Sequence, residues 1–390
     1  MISNPANDVD STPVIAAAAV LTAIGVAFFN AMPLALGTAA EYLGFSNQQI
    51  GFLASAYMAG FTVLSIALVI WVRKINWRQS CGVMALLQIA GFVVATQTTS
   101  LTTLLTALFI AGLGGGGLFG IATISLLDGR FPDRNLGIGT FAQVVVPAIV
   151  VLLLPITVIP KWGFQGLMVT LAVLPAVALL LLPWVIRQSH KAAINTSEKI
   201  EHAPMSVAII ALGGALLFHS AAAAVWAFYE RIGDANGVAP GTVGIVLSAA
   251  LIAGGAGSLV PVFLHARIGR IFVILAAAAV QIACMLGLMF APAASYPFAG
   301  PLFMFAWTAS IIFQLGGLAA VDVSGRYSVA IPAVLGVAAI VGPAAGGLIL
   351  GDGNFARLLA TAAGLIILSV LPAVYVNRGS AQSVAAISAG

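Results

Sequence analysis

The chain has 390 residues, of which 61% are hydrophobic and only 7% are charged. A soluble fold of this length cannot bury so large an apolar fraction, so the composition excludes an ordinary soluble protein and predicts an integral membrane protein. The formal net charge of +4 arises from basic residues between apolar runs. Such residues indicate membrane topology, and we expect no nucleic-acid partner.

Apolar runs without charged residues divide the chain into two similar sets. A bilayer crossing needs roughly 20 apolar residues, so each set is long enough for six helices. We therefore predict an all-α integral membrane protein, with twelve transmembrane helices in two parallel six-helix repeats. The predicted spans, numbered span 1 to span 12, are 14–38, 49–71, 80–97, 102–127, 136–158, 164–186, 205–229, 241–263, 271–291, 298–320, 328–350 and 357–376.

The spans define the predicted domain organisation and orientation. The segments are an N-terminal tail (1–13), a first bundle (14–186), a polar linker (187–203), a second bundle (204–377) and a C-terminal tail (378–390). If the first tail is cytoplasmic, 12 of the 15 Lys and Arg residues lie on the side of the tails and the linker. Because basic loops mark the cytoplasmic side, we predict that both termini are cytoplasmic.

The two sets of spans also align in sequence, at an offset of 193 residues. The matched pairs are Gly44 with Gly237, Gly51 with Gly244, Ser55 with Ser248 and Ser65 with Ser258. Since each repeat has an even number of spans, both repeats cross the membrane in the same direction. They are therefore expected to be related by an axis along the membrane normal.

Several local patterns accompany this layout. They are the segment Leu43–Gly51 before span 2, the basic loops Arg73–Arg78 and Arg267–Arg270, the glycine run Gly112–Gly117 in span 4, and Gly342–Gly347 in span 11. With these patterns the chain resembles the major facilitator superfamily over essentially its whole length, and within it the short bacterial efflux permeases with twelve helices. It departs from the family pattern at Ala266, where an Asp is usual, and at Leu108, where an Arg is often found. The resemblance implies a monomer in the bacterial inner (plasma) membrane.

In the resembled fold, spans 1, 4, 7 and 10 surround a central cavity, and few polar groups lie there in this chain. His219 is the only titratable side chain near the middle of a span, which makes it a candidate for solute binding and proton coupling. By the resemblance, its helix face lies opposite span 1, where Asn30 offers a polar partner. The alternative is a neutral histidine that joins two helices, as Asn and Gln also commonly do. The candidate solute-binding residues are Phe29, Asn30, Gln143, His219, Trp226, Trp307 and Gln314.

Charged residues at the cytoplasmic ends of the spans form a second candidate site. Asp128 and Asp322 end spans 4 and 10, so opposite charges could pair across the halves and hold that side shut. The alternative is that these charges only set topology and cap helices. The predicted cytoplasmic gate comprises Arg73, Asp128, Arg130, Arg267, Arg270, Asp322 and Arg326.

These features favour a secondary transporter over two other classes of protein. A membrane enzyme would need converging catalytic or metal-binding groups, yet the four histidines are scattered, and we expect no catalytic residue, metal or cofactor. The third possible class is a sensor that has the fold of a transporter but does not transport. We expect rocker-switch export of a small, neutral or weakly charged, partly apolar organic solute, with H+ as the candidate driving ion. The alternative is an uptake permease or facilitator for a neutral or aromatic nutrient.

Overall fold

The computed structural model describes residues 9–188, 205–260, 269–321, 327 and 330–388. Its helices are α1 (Thr12–Leu43), α2 (Asn47–Trp71), α3 (Trp77–Thr96), α4 (Leu101–Leu127), α5 (Pro132–Thr157), α6 (Ile159–Leu181), α7 (Met205–Ala227), α8 (Tyr229–Ala235), α9 (Pro240–Gly257), α10 (Arg270–Phe290), α11 (Pro292–Val321), α12 (Ile331–Leu350) and α13 (Phe355–Ser388). Short 3-10 turns follow α2 at Val72–Lys74 and α6 at Leu182–Trp184. All the regular structure in the described residues is helical.

A helix lies at each of the twelve predicted spans, which confirms the predicted fold class. By length and composition, eleven helices in the described part of the chain are long and apolar enough to cross a membrane. The remaining prediction, span 10, corresponds to α11, a helix of 30 residues. Successive spans cross in alternate directions. We call the face where α1 begins and α6 ends the linker face, and the opposite face the far face.

Several helix boundaries differ from the predicted spans: α1 ends at Leu43, α6 begins at Ile159 and α9 ends at Gly257, each five or six residues from the predicted limit. Helix α7 ends before the predicted limit because the backbone at Phe228 (φ −101°, ψ 9°) breaks it, and the short helix α8 follows at the far face. Helix α11 begins at Pro292, six residues early, since proline is tolerated in a first helical turn. Helix α13 continues to Ser388, twelve residues beyond the predicted limit at 376, although Gly379 lies within it.

The same helix pairings recur in both halves. In the first half, α1 packs on α4, α5 and α6, while α2 packs on α4 and α3 packs on α4 and α6. In the second half, α7 packs on α11, α12 and α13, while α9 packs on α11 and α10 packs on α11 and α13. Between the halves, α2 packs on α12 and α5 packs on α9, which are equivalent pairs under the repeat.

Backbone conformation at matched glycines supports the repeat. Gly44 and Gly237 both adopt the left-handed conformation, with φ of 70° and 71°, before the helices that carry spans 2 and 8. Gly51 in α2 lies against the carbonyl of Pro343 in α12, and its repeat partner Gly244 in α9 lies against α5. The repeated glycines therefore occupy the two equivalent contacts between the halves.

The glycine run in span 4 allows α4 to approach three helices at once. A side chain at Gly112 would overlap the backbone of Tyr57 in α2, and one at Gly114 would overlap the backbone of Met84 in α3. One at Gly115 would meet the carbonyl of Gly25 in α1. Small residues permit such close packing of helices in lipid, so the run serves the packing of the first half.

We expect Gly112→Ala to destabilise the protein by about 1–3 kcal/mol, because the added methyl group must displace the backbone of α2. The matched control is Gly364→Ala in α13, where nothing lies within 4 Å of the added atom and alanine favours helix over glycine. Thermal unfolding of the purified variants in detergent measures the difference. A Gly112→Ala protein that melts at or above the control temperature would contradict this packing role.

Candidate functional site

His219 lies in the middle of the second half, bonded to the neighbouring helix α11. The indole Nε1 of Trp307 donates to Nδ1 of His219 at 2.9 Å, and both side chains are buried, with 4% and 8% exposure. Phe218 packs edge-on against the imidazole, at 5.1 Å between ring centroids. The sequence suggested Asn30 as the polar partner of His219; the structure places Trp307 there.

This hydrogen bond determines which nitrogen of the neutral imidazole carries the proton. An indole N–H can only donate, so Nδ1 of His219 must accept and carries no proton. The proton of the neutral ring therefore lies on Nε2. That atom is buried and has no hydrogen-bond partner among the described residues, an arrangement that costs about 1–3 kcal/mol. His219 thus holds an unused donor at the centre of the fold.

The indole of Trp226 connects the two halves by donating to a backbone carbonyl that Pro33 leaves without its helical partner. In a helix, the carbonyl of residue 29 would accept from the N–H of residue 33, but Pro33 has none. The freed carbonyl of Phe29 instead accepts from Nε1 of Trp226 at 3.1 Å. Trp226 belongs to α7 and is 1% exposed. This contact between α1 and α7 follows from the position of a single proline.

The same principle acts one residue further along α1. Pro147 in α5 frees the carbonyl of Gln143, and Nδ2 of Asn30 donates to this carbonyl at 3.3 Å. The Asn30 amide therefore joins α1 to α5 within the first half. It is the backbone of Gln143 that makes this contact, whereas the sequence singled out the side chain.

Aromatic rings from both halves complete what we call the central cluster: Phe29, His219, Trp226 and Trp307. The Phe29 ring lies edge-on to Trp307, with centroids 6.4 Å apart, and so joins α1 to α11. Gln314 lies seven residues beyond Trp307 on α11 and is partly exposed; it makes no hydrogen bond within the described part of the chain. The cluster thus includes four of the seven predicted solute-site residues and leaves Gln314 apart.

Sequence reasoning missed a stacked group beside α1. The rings of Phe28 and Tyr57 stack at 4.1 Å, and Phe92 stacks on both. Nε2 of Gln88 donates to the Tyr57 hydroxyl at 3.4 Å. Tyr57 and Gln88, two polar side chains inside predicted spans, were the signal that could have located this group.

The linker face holds part of the predicted gate. Arg73 and Asp128 form a two-point ion pair, with both N···O distances at 3.3 Å, and the Asp128 side chain is buried. Both residues belong to the first half. The backbone N–H of Arg130 donates to Asp10 at 2.7 Å, so the segment before α1 also attaches to this corner.

The rest of the gate leaves the predicted latch untested. Arg267, Asp322 and Arg326 lie outside the described residues, and Arg270 begins α10. A latch between the halves therefore stays a prediction. The Arg73–Asp128 pair joins the turn after α2 to the end of α4, both within the first half.

The contacts between α2 and α12 begin at the far face of the molecule. Nδ2 of Asn47 donates to the carbonyl of Gly351 at 2.9 Å, and the Ser55 hydroxyl donates to the carbonyl of Ile340 at 2.6 Å. Further along, a side chain at Gly336 would overlap Thr62. The contact between α2 and α12 thus extends from the far face past the middle of the two helices, towards the linker face.

Neither a metal site nor a disulfide emerges from the described residues. No group of three or more His, Cys, Asp or Glu side chains lies close enough together to hold a metal ion in this part of the chain. Cys81 and Cys284 are both free and buried.

The protonation of His219 can be observed directly. Nitrogen NMR of the purified protein near pH 7 should show His219 with a protonated Nε2 and an unprotonated Nδ1, because Nδ1 accepts from Trp307. Loss of the signal in His219→Gln assigns it. Trp307→Phe removes the donor, so the proton should redistribute between the two nitrogens. A protonated Nδ1 in the wild-type protein would contradict the assigned hydrogen bond.

Comparison with known proteins concerns the fold. No family model matches the sequence, and no curated protein matches it. The nucleoside transporter NupG is 13% identical, with a TM-score of 0.72 over 93% of this chain and 98% of that chain. A bacterial homolog of the human lysosomal transporter Spinster, in an inward-facing and unoccupied conformation, is 13% identical, with a TM-score of 0.69 over 95% and 96%.

A D-xylose–proton symporter is 12% identical, with a TM-score of 0.73 over 92% of this chain and 96% of that chain. At sequence identities this low, the likeness shows the fold alone. Together with the repeated helix pairings and the matched contacts between the halves, they lead to one conclusion. The chain has the major facilitator fold, with two six-helix halves packed side by side.

Proposed function

We propose that the protein is a secondary transporter that moves a small organic solute by rocker-switch alternating access. The observation that carries the proposal is the central cluster, where rings from both halves surround an imidazole with an unused, buried Nε2–H. Structures with the same fold are described as a nucleoside transporter and a sugar–proton symporter. A buried donor between two halves is suited to a solute that binds when the halves separate.

The chemistry of the cluster favours a neutral or weakly charged, partly apolar solute. The cluster contains no Asp, Glu, Lys or Arg, so nothing there would neutralise a strongly charged molecule. Aromatic rings provide apolar walls, and a few polar groups orient the ligand, as in ordinary small-molecule sites. Nε2–H of His219 can donate to an acceptor on the solute. The carbonyl of Phe29 can accept from a donor when Trp226 moves away.

The interface between the halves is suited to rocking. Its contacts at α2–α12 and α5–α9 include Gly51 and Gly244, each packed against backbone carbonyls of the other half, and a hydrogen bond from Ser55. Each neutral hydrogen bond there contributes only about 0.5–1.5 kcal/mol net. Such an interface can open on one side while it closes on the other, without a large barrier from broken ion pairs.

We propose export as the direction and a proton as the driving ion, in the form of antiport. Uptake of a neutral solute is the second candidate, since one fold neighbour is described as a D-xylose–proton symporter. Proton coupling through His219 requires that Trp307 leave Nδ1, because an imidazolium has no acceptor. The Trp307–His219 bond would then break in one access state and form in the other.

Variants of His219 test both parts of the proposal. Glutamine can still accept from Trp307 and donate from its amide but cannot titrate. His219→Gln should therefore retain solute binding and lose pH-driven accumulation. His219→Ala should lose pH-driven accumulation and also bind the solute up to about tenfold more weakly, since one hydrogen bond is lost. Transport of a neutral-solute library in reconstituted vesicles, with a pH gradient of either sign, measures accumulation and direction. Wild-type rates and pH dependence in both variants would assign His219 to packing alone.

The proposed orientation places the linker face in the cytoplasm, in a bacterial inner membrane, because 12 of the 15 basic residues lie on that side. A cysteine at Ser388, the last residue of α13, should react with an impermeant thiol reagent only from the cytoplasmic side. A cysteine at Asp234, an exposed residue of α8, should react only from outside. The buried native cysteines give a low background. The reverse pattern of labelling would invert the orientation.

A further inference from the structure

Glu230 lies at the far face, where α8 meets α1 of the other half. Helix α8 follows the membrane-spanning part of α7, which ends at Ala227. The carboxylate of Glu230 occupies the space beside Gly37, so closely that a Cβ atom on Gly37 would overlap it. The side chain as a whole is partly buried, but its Oε2 is fully buried and has no hydrogen-bond partner among the described residues.

An ionised carboxylate in this position lacks compensation. Arg231, the adjacent cation, pairs through Nη1 with Asp234 at 2.8 Å, and its Nε is buried without a hydrogen-bond partner among the described residues. Glu41, one turn beyond Gly37 on α1, adds a like charge. Tyr296 of α11 faces the same region and is electrically neutral at physiological pH. Burial of the carboxylate therefore favours its neutral, protonated form, against the attraction of Arg231.

The titration of the carboxyl follows from this environment. Burial raises the pKa of Glu230 to about 8; Arg231 opposes the rise, and Asp234 and Glu41 add to it. A hydrated glutamate, as Glu230 would become if α8 separated from α1, titrates near 4.3. Between these values the closed contact holds a proton that the open one does not.

We propose that Glu230 is a proton-binding site in the seal between the halves at the far face, protonated while the seal is shut and ionised when it opens. This site rests on the proposed alternating-access function, and it adds a second proton-binding group, in the gate, to the one proposed at His219. Raising the pH should open the seal, because the shut form binds more protons across this window. A proton on the far-face side would conversely drive closure there.

The experiment measures the width of the far face against pH. Spin labels at Ser100 and Ala294, exposed residues where α4 and α11 begin at that face, report the distance between the halves in lipid nanodiscs. In the wild-type protein, the ratio of shut to open should fall by up to about tenfold per pH unit between about pH 5 and 8 and then level off. A wild-type ratio that does not change with pH overturns the proposal.

Three variants separate Glu230 from its neighbours. Glu230→Gln keeps the shape of the neutral acid, so its far face should stay shut at every pH. Gly37→Ala displaces the carboxylate and should open the seal at lower pH than in the wild type. Glu41→Gln, the matched control on an exposed carboxylate, should retain the wild-type titration with a small shift. If Glu230→Gln keeps the wild-type pH dependence, Glu230 is not the proton site.

The outcomes for the site and for the function are distinct. If the seal titrates as expected but no solute accumulates in vesicles, the transport proposal fails while the proton site stands. If transport occurs and Glu230→Gln responds to pH like the wild type, the proton site fails and transport stands.

Discussion

Backbone carbonyls that lose their helical partner are the constraint on which the centre of this fold depends. In lipid no water can satisfy a freed carbonyl, so another helix must supply a donor. Pro33 and Pro147 free the carbonyls of Phe29 and Gln143, and the Trp226 indole and the Asn30 amide satisfy them. Two prolines thereby determine which faces of α1, α5 and α7 meet. One of the resulting bonds lies within a half, and the other joins the halves.

That difference matters for movement. The bond from Asn30 keeps α1 attached to α5 as the first half moves, whereas the bond from Trp226 must break if α1 and α7 separate at the centre. Once broken, it leaves an indole donor and a carbonyl acceptor that need water or solute partners, at about 1–3 kcal/mol each if they find none. His219 adds a donor that is already unpaired. A solute with complementary polar groups would therefore stabilise the open centre, which links binding to the motion.

Much of the architecture could be predicted because the bilayer imposes a length on every span and duplication repeats it. The offset of 193 residues matched Gly44 with Gly237, and both have a left-handed conformation in the structure. The contacts of the site could not be predicted as well. Helix α7 is apolar almost all round, so no periodicity shows which face His219 presents, and its partner is Trp307 where Asn30 was expected. The positions four residues before each proline were a usable signal, since they locate the freed carbonyls.

Glu230 shows how a boundary error of a few residues changes an interpretation. A span that continues to 229 places the next residue in a solvated loop, as an ordinary edge carboxylate. Helix α7 instead ends at Ala227, and the short helix α8 sets the carboxylate against Gly37 of the other half. The glycine matters as much as the acid, because any larger residue at 37 would exclude it. Glu230, which the sequence pattern places just beyond a span, thus lies partly buried at the interface between the halves. Opening of that interface at the far face would hydrate its carboxylate.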